Sequence, residues 1–165
     1  MKIVLSFMLF TSSFCMAQQE FQQALQKYNE ESIPYIKVKE LHQELEKPNL
    51  ISILDARKVE EYQVSHLPNA IFAGDKEFDI QQVQKRMSSK TLSIIVYCTI
   101  GVRSEKIAKK LKEAGYHQVK NLYGGILEWK NKGYKLYNLQ SKPTDSVHTY
   151  NKKWSRYLHQ GKPVF

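Results

Sequence analysis

Ser93-Ile94-Ile95-Val96-Tyr97-Cys98-Thr99-Ile100-Gly101-Val102-Arg103-Ser104 is the stretch on which the reading of this chain turns. Ile94 to Tyr97 is an unbroken run of β-branched and aromatic residues, the pattern of a central strand covered on both faces of a parallel sheet. Cys98 ends that strand and Thr99 to Arg103 form a loop. From Ser104 a helix is expected, with Ile107, Ala108, Leu111 and Ala114 on one face and Gly115 as its stop. The pattern sets a cysteine over a helix amino terminus at the carboxyl end of a strand, where open α/β sheets bind their ligands.

Working outward, strands and helices alternate without internal repeats. Phe21 to Tyr28 reads as a helical lead-in, Tyr35-Ile36-Lys37-Val38 as a strand, and Leu41 and Leu45 with the Pro48 stop as a brief helix. Ile51 to Leu54 is a second strand ending at Asp55, Glu60 to Leu67 a helix stopped by Pro68, and Ala70-Ile71-Phe72 a third strand. Ile80, Val83 and Met87 mark a helix. Beyond the central stretch come a strand at Val119 to Leu122, a Gly124-Gly125 turn and a helix from Ile126 to Lys132 with Trp129 inward. This alternation predicts an α/β domain with a five-stranded parallel sheet and helices on both faces.

The chemistry follows from the placement of Cys98. A thiol is a nucleophile as its thiolate, which is favoured by backbone N–H donors, a helix amino terminus and a nearby cation, here Arg103. Gly101 lets the loop turn inward and form a nest of donors for an anion. A buried strand-end cysteine acting as a small hydrophobe is the competing reading; Gly101 and Arg103 weigh against it.

At these residues the sequence resembles the rhodanese-like family of sulfurtransferases. Cys98-Thr99-Ile100-Gly101-Val102-Arg103-Ser104 fits that family's active-site loop. Asp55-Ala56-Arg57, Glu60-Glu61-Tyr62 and His66-Leu67-Pro68-Asn69-Ala70 resemble a second stretch, and Leu122-Tyr123-Gly124-Gly125-Ile126 with Trp129 a closing one. Val59 stands where proline is common, and Ser65 and Asn69 where glycines are common. The resemblance covers about residues 35–136. It implies a double displacement in which Cys98 takes the outer sulfur of thiosulfate or of a persulfide or polysulfide donor, then passes it to a thiol or to cyanide. It further implies that Thr99, Ile100, Gly101, Val102, Arg103 and Ser104 hold the substrate, with Arg103 stabilising the loop or the bound anion. Asp55 and Arg57 are supporting residues, with a surface ion pair to Glu60 or Glu61 as the alternative. His66 is expected to order a turn.

Composition agrees with one soluble domain. The 165 residues are 42% apolar and 25% charged, which excludes a collagen, a disordered tail and a polytopic membrane protein. Residues 18–84 carry 7 Lys and Arg against 12 Asp and Glu, whereas 85–165 carry 17 against 4. The basic half contains Cys98, a field that favours an anionic substrate or acidic partner; the scattered lysines give no support to nucleic acid. His42, His66, His117, His148 and His159 show no ligand spacing, so no metal and no cofactor are expected.

The ends differ from the middle. In residues 1–17, Lys2, the apolar Ile3 to Phe10 and the small-residue exit at Cys15-Met16-Ala17 read as a secretory signal, too short for a transmembrane span. A periplasmic or secreted monomer is expected, and acylation of Cys15 is disfavoured by the bulky Phe14. Cys98 is then the one thiol left in the exported chain. Residues 18–34 form the lead-in, 35–136 the domain, and 137–165 a basic aromatic extension. In the extension Tyr150, Trp154, Tyr157 and Leu158 are at helical spacing and are expected to dock as an added helix. Two other function classes fit less well: a phosphatase or arsenate reductase of related fold, and a non-catalytic interaction module. Four residues separate Cys98 from Arg103, a ring small for a tetrahedral oxyanion.

Overall fold

The computed structural model describes residues 16, 18–46, 51–87 and 93–165. Apart from Met16, the leader with Cys15 lies outside the described residues, as does the Pro48 stop. Five parallel strands, β1 (Tyr35–Ile36), β2 (Ile51–Asp55), β3 (Ile71–Phe72), β4 (Ser93–Tyr97) and β5 (Val119–Leu122), lie in the order β1-β5-β4-β2-β3. Strand β4 is therefore central. It pairs with β2 from Ile51 opposite Ser93 to Asp55 opposite Tyr97, and with β5 from Ile94 opposite Val119 to Val96 opposite Asn121.

Period-2 geometry explains why β4 is apolar at each position from Ile94 to Tyr97. Ile95 and Tyr97 point into one buried cluster with Leu41 of α2 (Val38–Leu45), Ile126 and Leu127 of α6 (Gly125–Asn131), and Phe21 of α1 (residues 18–28). Ile94 and Val96 point into the other, with Val83 of α4 (Ile80–Arg86) and Ile107 and Leu111 of α5 (Val102–Glu113). Helices thus cover both faces of the parallel sheet, as the alternation predicts.

Several boundaries move for local reasons. β1 ends at Ile36 because Val38 already opens α2. α3 is Val59–Val64, shorter than the expected Glu60 to Leu67, because Ser65 is extended and His66 exchanges two backbone hydrogen bonds with Tyr137. Asn69 adopts a left-handed φ of 57°, the conformation that explains a glycine-like position there. α5 begins at Val102, two residues before Ser104. His66 orders its turn by stacking on Tyr62 at 4.2 Å and bonding through Nδ1 to the Tyr62 carbonyl.

The extension is not one helix. β6 (Leu136–Tyr137) pairs with β7 (Pro143–Thr144), β8 (Ser146–His148) pairs with β9 (Lys162–Val164), and α7 (Lys152–Ser155) is four residues long. Tyr150 has a left-handed φ of 69° and Asn151 is extended, capping α7 by accepting the Trp154 N–H. A helix running back through Tyr150 is thereby interrupted. The segment nonetheless packs on the domain: Val147 and Tyr157 are buried, Tyr157 stacks on Phe21 at 5.3 Å, and β8 lies against α3. Asn131 fastens it further, donating to the Tyr157 carbonyl and accepting the His159 N–H, each at 2.7 Å.

Candidate active site

Cys98 lies just past β4, buried, and is a free thiol. Its loop doubles back because Gly101 takes a φ of 115°, which lets the Gly101 N–H donate to Cys98 Sγ at 3.2 Å. A Cβ at Gly101 would sit 2.6 Å from Asn29 Oδ1, so only glycine fits this turn without displacement. The Gly124-Gly125 turn brings the start of α6 equally close to the loop. A Cβ on Gly125 would fall 2.3 Å from the Cys98 carbonyl oxygen, and the Ile126 and Leu127 N–H groups donate to the Cys98 and Thr99 carbonyls at 2.9 and 3.3 Å. Those are amide groups with no acceptor inside their own helix, so α6 uses its first turn to grip the loop. On the other flank, α5 starts directly from the loop, the Glu105 N–H donating to the Gly101 carbonyl at 3.1 Å.

Arg103 does not reach free into the site. Its Nη1 and Nη2 donate to the two oxygens of Glu61 at 2.6 and 2.9 Å, and Nη2 also donates to Thr99 Oγ1 at 2.8 Å. The Thr99 hydroxyl in turn donates to Glu61 at 3.2 Å, and the guanidinium lies over the Tyr150 ring at 4.8 Å. Burial opposes ionisation of Glu61, yet Arg103, with help from Arg57 and the Lys58 amide, holds its carboxyl below the ordinary glutamate range. Burial likewise disfavours the charged form of Arg103, but Glu61, the Cys98 sulfur and Asp75 outweigh it and raise its pKa. Of the two roles implied for Arg103, loop brace or anion holder, the geometry serves the first.

The remaining expected residues divide between wall and support. Ser104 is fully buried behind the loop, where its hydroxyl bridges the Gly101 carbonyl and Asn121 Oδ1 at 3.0 and 2.7 Å; it touches no open space. Thr99 spends its hydroxyl on Glu61 and Arg103. Ile100 and Val102 present apolar side chains. Asp55 and Arg57 are wholly buried and form a fork, Nε to Oδ1 at 2.9 Å and Nη2 to Oδ2 at 2.6 Å, with the Tyr97 hydroxyl on Oδ2 at 2.5 Å. The surface pair with Glu60 or Glu61 is therefore not formed; the fork anchors the end of β2 beside β4.

A cavity of about 210 Å³ opens above Cys98, lined by Thr99, Ile100, Val102 and Arg103 from the loop and by Tyr28, Tyr150 and Trp154 from the two ends of the chain. The sequence pointed to no part at the thiol for these three aromatics, Tyr150 and Trp154 being expected only to dock as part of an added helix, nor to Glu61 as the partner of Arg103, nor to Asn121. The one local hint was Glu61 in the first turn of α3; its separation of 42 positions from Arg103 hides the pairing. Among the described residues no group of three or more His, Cys, Asp or Glu side chains is placed to hold a metal ion, and no helix is long and apolar enough to cross a membrane.

A buried cysteine at the carboxyl end of the central strand, gripped by two helix starts and a left-handed glycine, defines a parallel α/β domain built around one thiol. The Rhodanese-like domain profile matches residues 37–132, and the chain belongs to that family. Over 106 residues it is 30% identical to a Bacillus subtilis (strain 168) protein provisionally named a sulfur carrier, YrkF, covering 63% of this chain and 55% of that one. Over 98 residues it is 35% identical to the tRNA uridine(34) hydroxylase of Enterobacter sp. (strain 638), covering 58% and 28%. The chain thus spans about half of the first relative and under a third of the second. Among solved structures, thiosulfate sulfurtransferase from Pseudomonas aeruginosa superposes with a TM-score of 0.61 at 27% identity, over 68% of this chain and 22% of that one. A Bacillus halodurans protein superposes at 0.58 and 27%, over 71% and 85%.

Proposed function

We propose that the chain is a sulfurtransferase that carries a sulfane sulfur on Cys98. The Cys98 thiolate attacks the outer sulfur of a donor such as thiosulfate; the donor S–S bond breaks, sulfite departs with the electron pair, and Cys98 holds a persulfide. An acceptor thiol or cyanide then attacks the outer sulfur and the Cys98 thiolate leaves. The observation that carries this reading is the Gly101 N–H aimed at Cys98 Sγ at 3.2 Å inside a loop clamped by α6 and by the Arg103–Glu61 brace. A donor already directed at sulfur stabilises charge on the thiolate and on the persulfide without reorganisation. The sulfur-named relatives support the same class. The phosphatase alternative is less well served, because the guanidinium that would hold a phosphoryl group is committed to Glu61.

Intact-mass measurement after exposure to thiosulfate tests this. One added sulfur is expected on the wild type and none on Cys98→Ser, which should fold normally because a hydroxyl of similar size replaces the sulfur. Hydrolysis of an aryl phosphate without sulfur loading would reverse the reaction class. The reading includes export through the leader of residues 1–17, supported by the apolar run Ile3 to Phe10. Amino-terminal sequencing of native material should find the chain starting near Gln18; an intact Met1 in the cytosol would exclude export.

A further inference from the structure

The three rings over Cys98 lie outside the residues matched by the family: Tyr28 ends α1, and Tyr150 and Trp154 come from the extension. Tyr28 and Trp154 meet edge to face, centroids 5.3 Å apart at 78°. Lys153 fixes that corner from outside, with Nζ donating to the Tyr28 hydroxyl at 2.8 Å and lying 4.8 Å from the ring centre. Tyr150 is held open over Arg103 by its left-handed backbone, and its N–H donates to His148 Nδ1 at 3.1 Å. Together with Ile100 and Val102 these rings make an apolar box whose floor is a nucleophilic sulfur.

Charge and size decide what such a box takes. Arg103, the charged residue of the lining, has both terminal nitrogens on Glu61, so a doubly charged inorganic donor would exchange water for aromatic walls with backbone donors alone to meet it. A donor that carries an apolar group and a single charge on its sulfane end avoids most of that cost. The cavity, about 210 Å³, exceeds the roughly 150 Å³ that suffices for a benzene ring.

Resting on the sulfurtransferase reading, we infer that Tyr28, Tyr150 and Trp154 form a specificity box selecting an organic sulfur donor, with an aryl or similar apolar group, over inorganic thiosulfate. With a thiosulfonate, the Cys98 thiolate attacks the terminal sulfur, the S–S bond breaks, and its electron pair leaves on the organic sulfinate. Cys98 keeps the transferred sulfur as a persulfide, so atoms and charge balance without an added oxidant or reductant.

The test measures sulfur loading of the full chain by intact mass with thiosulfate, methanethiosulfonate and benzenethiosulfonate. Wild type should load fastest from the benzene compound. Its advantage over the methane compound should fall about fivefold or more in Tyr150→Ala and in Trp154→Ala, the scale of one lost aromatic contact, and persist in Trp154→Phe. Comparing this ratio between variants cancels the intrinsic reactivity of the donors. A second measurement needs no variant: benzenesulfinate should inhibit loading of the wild type more strongly than methanesulfinate. Loading from all three donors with a ratio indifferent to the rings, or equal inhibition by both sulfinates, overturns the inference and leaves the sulfurtransferase reading standing. Loading from none overturns both.

Discussion

Replacing Glu61 by Gln tests whether the Arg103 brace holds the thiol loop. Glu61 is 1% exposed and the Arg103 side chain 16%, so the pair is screened by water on one side only. Gln keeps one oxygen for Arg103 or Thr99 but sets an amide N–H₂ against a guanidinium donor. A hydrogen bond between two ionised groups is exchanged for one from the guanidinium to a neutral amide oxygen and a second is lost, a change of about 2 kcal/mol. At this chain length that lowers Tm by about 4–8 °C. Glu61→Leu leaves Arg103 with Asp75, 3.9 Å away, as its carboxylate partner and approaches the 3–5 kcal/mol typical of a broken buried pair, reduced to about 3 by that contact and by the partial exposure of Arg103.

The double variant Glu61→Leu with Arg103→Met carries the sharper expectation, because replacing both partners by apolar groups removes the stranded charge. Its loss should fall short of the sum of the single losses by about 1 kcal/mol or more. Urea unfolding of the four proteins measures the coupling. The sulfur-loading rate should fall at least tenfold in every variant, since a shift of about 1 Å at a reacting atom can cost on the order of a hundredfold. A Tm of Glu61→Gln within about 1 °C of wild type, strictly additive losses, or unchanged loading would refute the brace; each threshold lies well below the effect expected of a buried, doubly bonded pair.

Three further outcomes are expected. Gly101→Ala should lower Tm by several degrees and suppress loading together, since it combines a φ of 115° with a Cβ 2.6 Å from Asn29 Oδ1, a buried oxygen without a hydrogen-bond partner; thermal melting and intact mass check both. Because the Glu61 pKa is lowered in the fold, its contribution is complete above the unfolded value near 4.3 and is lost as pH falls through the folded value; the urea midpoint of Glu61→Gln should therefore fall less steeply than that of wild type between about pH 5 and 3. Truncation after Tyr137 removes buried Val147 and Tyr157 and the stacking of Tyr157 on Phe21, a loss on the order of 4 kcal/mol, and an unchanged Tm in differential scanning calorimetry would contradict the docked extension.

The core of the fold was legible because its signals are local. Ile94 to Tyr97 have an apolar neighbour on each face, so burial and composition agree residue by residue, and Gly115, with a φ of 92°, closes α5 as its sequence suggests. The edge strands β1 and β3 fall where the sequence places them, but each is two residues long, too short for period-2 patterning to set its bounds. The extension misled for a physical reason: Tyr150, Trp154 and Tyr157 are spaced as on a helix, but they converge through a left-handed residue and a capped single turn. At the site, Cys98, Gly101 and the turn before α6 were readable from their residue types. The Arg103–Glu61 pair and the roles of Asn121 and Tyr28 were not, because they depend on contacts between residues 17 to 126 positions apart.

The charge asymmetry of the sequence acquires a different meaning in the fold. An acidic first half and a basic second half favour an anionic ligand at Cys98, yet several of the basic side chains turn to carboxylates elsewhere: Lys109 to Glu30 at 2.8 Å, Lys120 to Glu40 at 3.7 Å, and Lys130 to Asp145 at 2.6 Å. The first two join the basic half to the acidic half. Those two are exposed and contribute little each. Around the thiol, Arg103 is neutralised by Glu61, and Lys153 points its ammonium at the Tyr28 hydroxyl. An anion entering the cavity therefore meets backbone donors and π faces before it meets a free cation. That arrangement favours charge localised on one sulfur against the Gly101 N–H and disfavours charge spread over a larger oxyanion, which is why selectivity at this site should follow the organic part of the donor.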